Sequence, residues 1–224
     1  MAFAPGAYVF PGGSVEARDA DPDLAWAGPD SDAWGAALRC TAALARALVC
    51  AAVRETFEES GVLLAGPTAA TTVADTGADD WEADRRALID GSLSLAAMLR
   101  RRALVVRSDL LTPWARWITP EPESRRFDAR FFAARLPEGQ RARDVGGEAD
   151  EVAWLTPADA IAAARRGELS LMPPTAVTLA ELARLGGLAA ALTVHGDMRP
   201  RQPGIVLAAD AAWLTIPDGL EYPL

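Results

Sequence analysis

The chain has 224 residues with hydrophobic side chains at 50% of its positions, and a mean hydropathy of +0.07, enough for one full core. Its net charge is −9 and all 22 basic residues are arginine, which argues against coating a nucleic-acid backbone and excludes lysine Schiff-base or P-loop chemistry. No apolar run approaches the roughly 18–20 residues that cross a bilayer, and the start lacks the basic and apolar regions of a secretory leader. The expectation is a cytoplasmic protein with no membrane and no nucleic-acid partner.

The single histidine, His195, cannot build a multi-histidine zinc site. Any metal must then rest on carboxylates, which favours Mg²⁺ or Mn²⁺. Cys40 and Cys50 would stand about 15 Å apart on one continuous helix, too far for a disulfide. They read as buried small hydrophobes in a reducing compartment.

In chain order, residues 7–10 read as a strand stopped by Pro11-Gly12-Gly13. The stretch 20–35 is rich in Asp, Pro, Gly and Trp without periodicity and is expected as a loop. Residues 36–60 have helical spacing but exceed a usual helix, which predicts two helices or one bent one, stopped at Gly61. Short apolar runs follow at 62–65 and 71–74, then a helical pair over 79–103 broken near Gly91. Strands are expected at 114–118, 127–136 and 150–155. Thr156 then caps a helix with Pro157 at its first position and Asp159 in its first turn. A further helix over 175–185 ends at Gly186-Gly187, and the tail carries strands near 205–208 and 212–216. Most strands follow one another too closely for crossover helices, so the fold class is α+β with a mixed sheet.

The informative string is Arg54-Glu55-Thr56-Phe57-Glu58-Glu59-Ser60-Gly61-Val62. On a helix Glu55, Glu58 and Glu59 stand at i, i+3 and i+4, so three like charges share one face and repel. Divalent ions would turn that repulsion into coordination. Val53 and Phe57 give the same helix an apolar side. Three glutamates alone favour a solvated surface face, since exposed helices are commonly Glu-rich; the whole string shifts the balance.

That string resembles the second half of the Nudix box, R-E-U-x-E-E-x-G-U with U aliphatic. Arg54, Glu55, Glu58, Glu59, Gly61 and Val62 match, while Thr56 stands at an aliphatic position. The first half of an uninterrupted box would put Gly and Glu at 40 and 46, where this chain has Cys40 and Arg46. Phe10-Pro11-Gly12-Gly13 with Val15-Glu16 is similar to that missing half, 27 residues further upstream than usual. Asp19 and Glu16 are the candidates for its glutamate. An interrupted box resembles a Nudix branch similar to the peroxisomal coenzyme A diphosphatases. Trp117-Ile118-Thr119-Pro120, Arg126-Phe127-Asp128 with Phe131-Phe132, Pro173-Pro174-Thr175 and Glu221-Tyr222-Pro223 extend that resemblance over most of the chain.

The resemblance implies an α+β Nudix-type α/β/α sandwich with a mixed sheet, over 1–190 with an insertion at about 20–46, and a C-terminal extension over 191–224. Family members carry at least one strand before the glycine loop, which this chain reaches within thirteen residues. The sheet is therefore expected to lack its N-terminal strand, or to be completed by another segment. The tail runs at 204–207 and 213–216 are candidates to cover that edge, in the same chain or in a homodimer partner.

Function also follows from the resemblance. It implies hydrolysis of a phosphoanhydride in a nucleoside diphosphate derivative, a small-molecule partner, with Mg²⁺ or Mn²⁺ held by Glu55, Glu58 and Glu59. Arg54 would orient Glu55 or Glu59, and Gly12 and Gly13 would let the loop backbone approach the substrate. Glu148 and Glu151 are candidates for a general base; a lone tail histidine such as His195 weighs little. Arg126, with Arg125 and Arg130, could meet a 3′-phosphate. Phe131, Phe132, Trp26, Trp34, Trp114 and Trp117 could stack an adenine, although large aromatics more often build cores. Coenzyme A or acyl-coenzyme A, giving 3′,5′-ADP and phosphopantetheine, is the leading substrate. The alternatives are an ADP-ribose, dinucleotide or nucleotide-sugar pyrophosphatase, or an inactive Nudix-fold ligand-binding module.

Overall fold

Helical spacing over 36–60 resolves into two helices rather than one. In a computed structural model, which describes residues 6–143, 152–194, 196–207, 212–217 and 219–224, α1 spans Ser31–Leu38 and α2 spans Ala42–Ser60, and they meet at 90°. Asp30 caps α1 by accepting the Ala33 N–H, and Arg39 closes it in a left-handed conformation. Thr41 caps α2 through the Leu44 N–H. α1 starts inside the stretch expected as loop, because Asp30 supplies a side-chain acceptor where composition suggested only turns. Cys40 lies between the two helices and Cys50 inside α2; both are free thiols.

Two compact units can be distinguished, one from Pro11–Leu111 with Ala134–Val152, the other from Met1–Phe10, Thr112–Ala133 and Ala153–Leu224. In the first unit a two-residue strand β1 (Trp26–Ala27) precedes α1, and β2 (Ala65–Gly66) follows α2. The expected helical pair is α3 (Asp79–Ile89) and α4 (Leu95–Arg101), with Gly91 at φ 77° between them. β3 (Val105–Arg107) then completes a three-stranded mixed sheet, parallel to β1 and antiparallel to β2. The insertion is thus built into this unit: it supplies β1 to the sheet and packs α1 on α2. Val49, Val53 and Phe57 on α2 are fully buried at four-residue spacing, with Leu63, Leu64, Leu88, Met98 and Val106 around the same core.

The second unit holds β4 (Leu111–Ile118) from Thr112 onward, β5 (Asp128–Ala134) up to Ala133, α5 (Pro157–Arg165), α6 (Pro173–Ala183), α7 (Leu188–Ala191), β6 (Pro200–Arg201), β7 (Gly204–Leu207) and β8 (Ala212–Thr215). β4 lies between β5 and β6, and β6 runs parallel to it. Arg116 grips Asp128 through two bonds of 2.8 and 2.7 Å across the β4–β5 pair. Trp114, Ala115, Trp117, Val177 and Ala191 form one buried cluster, joined by half-buried Phe131. Thr156 and Pro157 start α5 as expected, and α6 begins on the Pro173-Pro174 pair.

Several expectations fail here. Residues 7–10 provide a single bridge, Tyr8 to Leu171, because Pro11 interrupts any longer ladder. Of the strand expected at 150–155, residues 150 and 151 lie outside the described residues; 152–155 form no strand, and Val152, Trp154 and Leu155 are exposed. β7 and β8 form an antiparallel pair with each other, so the tail segment that joins a larger sheet is β6. Among the described residues no single helix is long and apolar enough to cross a membrane.

Candidate active site

The last two turns of α2 carry Arg54, Glu55, Glu58 and Glu59. Their side chains face away from the buried Val53–Phe57 stripe for the periodic reason the sequence suggests. Gly61 ends the helix at φ 71°, its N–H bonded to the Phe57 carbonyl at 2.9 Å. A side chain there would be strained, and its Cβ would stand 2.6 Å from Arg143 Nη1.

Arg54 is the hub, with 1% of its surface exposed. Its Nε donates to Asp19 Oδ1 at 2.9 Å, and Nη2 donates to Asp19 Oδ2 at 3.1 Å and to the Ser14 carbonyl at 2.9 Å. Nη1 stands 2.8 Å from Glu55 Oε1 and 3.2 Å from Glu58 Oε2. Of the two acids weighed for the upstream half of the box, Asp19 takes the place beside Arg54, while Glu16 pairs with Arg18. A 3-10 turn over Ala17–Ala20 presents Asp19, whose Oδ2 also accepts the Glu16 N–H at 2.9 Å. The resemblance implies that Arg54 reaches Glu55 or Glu59; on the helix it pairs with Glu55 and with Glu58. Glu59 instead accepts the Gly12 N–H on Oε2 at 3.1 Å.

The glycine loop therefore touches the helix directly. A Cβ on Gly13 would fall 2.3 Å from Glu55 Oε1, so a side chain is excluded while Glu55 keeps this position. Gly12 differs: a Cβ there meets nothing within 4 Å, and its contribution is the N–H.

Burial pushes the Glu55 and Glu58 carboxyls above their ordinary range, against the lowering influence of the Arg54 charge. Burial likewise opposes the charge on Arg54, but its bond to Asp19 and the charges of Asp19, Glu55 and Glu58 outweigh it and hold the guanidinium protonated. Arg54 thus faces three carboxylates, those of Asp19, Glu55 and Glu58. Among the described residues nothing donates to Glu58 Oε1, which is buried, a costly state for a carboxylate oxygen. Among the described residues no group of three or more His, Cys, Asp or Glu side chains is already gathered around a point that could hold a metal. The donors nonetheless fit a hard divalent cation in kind: all are carboxylate oxygens, and one is buried without a partner.

Glu148, Glu151 and His195 fall outside the described residues. Arg126 and Phe131 belong to the other unit; Arg126 is exposed and donates through Nε to the Thr119 carbonyl at 3.1 Å. Phe131 packs edge-on to Phe10, with ring centroids 6.2 Å apart. Trp34, Trp114 and Trp117 are buried, as the core reading of the aromatics expects. Sequence reasoning missed Arg85 and Arg143, which bond the carbonyl-bearing end of α2. Arg85 Nη1 donates to the Glu58 carbonyl at 2.7 Å, and the Arg143 N–H to the Ser60 carbonyl at 3.1 Å. Nothing local marks either residue, since both contacts are long-range.

A glycine loop packed on an Arg-Glu-x-x-Glu-Glu helix end, in an α+β chain, defines the class. Residues 35–185 match the family model described as the NUDT19 Nudix domain, and the chain belongs to the Nudix family. The matched span includes the carboxylate helix but not Gly12, Gly13 or Asp19. Among curated proteins the chain is 26% identical over 217 residues to the acyl-coenzyme A diphosphatase NUDT19 of Xenopus laevis, covering 80% of this chain and 56% of that protein. It is 26% identical over 231 residues to the Gallus gallus protein of the same name, covering 83% and 59%, and 26% identical over 183 residues to putative nudix hydrolase 7 of Caenorhabditis elegans, covering 82% and 52%. The chain thus spans a little over half the length of these relatives. The crystal structure of a NUDIX hydrolase from Alicyclobacillus acidocaldarius superposes with a TM-score of 0.70 at 28% identity, covering 88% of this chain and 84% of that one.

Proposed function

We propose that this chain hydrolyses the phosphoanhydride of coenzyme A or an acyl-coenzyme A, releasing 3′,5′-ADP and (acyl-)phosphopantetheine, with residues 1–190 as the hydrolase domain and 191–224 as an extension. The observation that carries the reading is the packing of the Gly12-Gly13 loop against Glu55 and Glu59 beside the unpartnered Glu58 oxygen. Support for the substrate comes from the names of the two NUDT19 relatives.

In this reading Glu55, Glu58 and Glu59 hold Mg²⁺ or Mn²⁺. Such an ion supplies charge neutralisation for the anhydride and for the negative charge that grows on the leaving phosphate. The chain's own residues do the rest. The Arg54 charge opposes the burial that raises the Glu55 and Glu58 carboxyls, and its charge-assisted bonds orient both. The Gly12 N–H fixes the Glu59 carboxylate. Glu148 or Glu151 takes the proton of the attacking water as its oxygen bonds to one phosphorus and the other phosphate departs.

The test is turnover by the purified chain with Mg²⁺ or Mn²⁺ on coenzyme A, acyl-coenzyme A, ADP-ribose, dinucleotides and nucleotide sugars, with products identified by mass. Preferred release of 3′,5′-ADP is the expected result. Faster cleavage of ADP-ribose or a nucleotide sugar would replace the substrate, and no turnover of any anhydride would leave a Nudix-fold binding module.

A further inference from the structure

We propose that Arg85, braced by Glu82, is a positioning residue for the carboxylate end of α2. The inference rests on the reading of Glu58 as a metal ligand. It starts from the carbonyls that every helix leaves unbonded in its last turn. On α2 the Phe57 carbonyl accepts the Gly61 N–H at 2.9 Å and the Ser60 carbonyl accepts the Arg143 N–H at 3.1 Å. The Glu58 carbonyl accepts neither kind of neighbour; it takes Arg85 Nη1, from α3, at 2.7 Å.

A guanidinium at 2% exposure is costly unless its donors and its charge are matched. Glu82, one turn earlier on α3, does this with both oxygens: Arg85 Nε donates to Oε2 at 2.9 Å and Nη2 to Oε1 at 2.6 Å. The two-pronged bond fixes the plane of the guanidinium and so aims Nη1. A positive charge at a helix C-terminus is also favoured by the helix dipole. On the same face of α3, four residues before Arg85, Trp81 meets Phe57 edge-on at 6.2 Å. Residues 57 and 58 of α2 are therefore both seated on α3.

Glu58 is consequently held twice by buried arginines. Arg54 grips its carboxylate at Oε2, and Arg85 grips its main chain. Rotation of the last turn of α2, which would swing Glu58 and Glu59 off their common face, requires breaking the Arg85 bond inside the core. A guanidinium that only tied α3 to α2 could reach any carbonyl or side chain there; this one reaches the main chain of Glu58 itself.

The test is Mn²⁺ titration of the full chain, with free Mn²⁺ read by electron paramagnetic resonance and folding by circular dichroism. Arg85→Gln should weaken Mn²⁺ binding by about 10- to 100-fold, as loss of a supporting partner around a metal does. Arg85→Lys should not restore it, because an ammonium cannot fork to Glu82 and still reach the carbonyl. Arg107→Gln is the structural control: it breaks the pair to Asp109 and the bond to the Thr71 carbonyl, contacts that involve neither α3 nor the last turn of α2. It should lower the melting temperature and leave Mn²⁺ affinity unchanged. If Arg85→Gln does not fold, Glu82→Gln, which keeps Arg85 but removes its brace, must show the same direction of change. Unchanged affinity in Arg85→Gln while Glu58→Gln loses Mn²⁺ overturns this proposal alone, as does equal weakening by Arg107→Gln. Wild-type affinity in Glu58→Gln, or none in the wild type, overturns the metal reading and this proposal with it.

Discussion

Asp19 accepts two hydrogen bonds from Arg54, 35 residues further along the chain, at 2.9 and 3.1 Å, and their side chains are 0% and 1% exposed. This pair ties the loop on one side of the insertion to the helix on the other. Removing one partner of a buried pair costs about 3–5 kcal/mol, because the other charge stays buried. Asp19→Asn should therefore lower the unfolding free energy from urea titration by an amount of that order. A loss well below 1 kcal/mol would show that Glu55 and Glu58 suffice for Arg54.

Glu58→Gln separates stability from activity. The folded-state pKa of Glu58 is raised, first by burial, so the protonated form is the better-tolerated one. Its contribution to stability is present below the ordinary glutamate range and is lost as pH rises through the folded value. At neutral pH the neutral Gln isostere should thus melt at or above the wild-type temperature. Turnover should drop by about 10²-fold or more, the scale seen when a group stabilising transition-state charge is deleted. A less stable but fully active variant would contradict both halves.

The two loop glycines should respond differently to alanine. Gly13→Ala drives a methyl to within 2.3 Å of Glu55 Oε1, and the flexible carboxylate must move away. Activity should fall while stability changes by less than about 1 kcal/mol. Gly12→Ala meets open space and keeps its N–H, so it should retain near wild-type turnover. Equal effects in kinetics would show that the loop tolerates, or rejects, any side chain irrespective of Glu55.

The hydrogen bond and charge of Arg85, with Arg86 and Arg143 nearby, hold the Glu82 carboxyl below its ordinary value of 4.5. A depressed carboxyl stabilises the fold above its unfolded pKa, and that stabilisation drains away as pH falls through the folded value. The stability gap between wild type and Glu82→Gln should accordingly be constant near neutrality and shrink below about pH 4.5. Urea midpoints for both proteins across that range provide the check; a gap that widens in acid would reverse the sign.

Burial pushes the Cys50 thiol up to about 12, so almost no thiolate exists at neutral pH. Iodoacetamide should leave Cys50 unmodified in the folded chain and label it once denaturant is added. Mass spectrometry showing rapid native labelling would mean that this part of α2 opens readily.

Local spacing made the carboxylate helix readable from the amino-acid sequence. Glu55, Glu58 and Glu59 share a face, Val53 and Phe57 share the opposite one, and Gly61 sits where the chain turns left-handed at φ 71°. The Thr156–Pro157 start of α5 and the break near Gly91 were legible for the same reason: each depends on residues within one or two turns of each other. What only the tertiary structure decided were contacts between distant segments. Asp19 rather than Glu16 faces Arg54 because a 3-10 turn presents it to the buried guanidinium. The Glu58 carbonyl is bonded by Arg85, and residues 26–27 and 105–107 are strands because each finds a partner across the first unit. The apolar run at 152–155 forms no strand, and Val152, Trp154 and Leu155 stay exposed. Helical periodicity is a property of neighbouring residues, whereas a strand or a buried ion pair exists only once another stretch of chain arrives to exclude water and satisfy its polar groups.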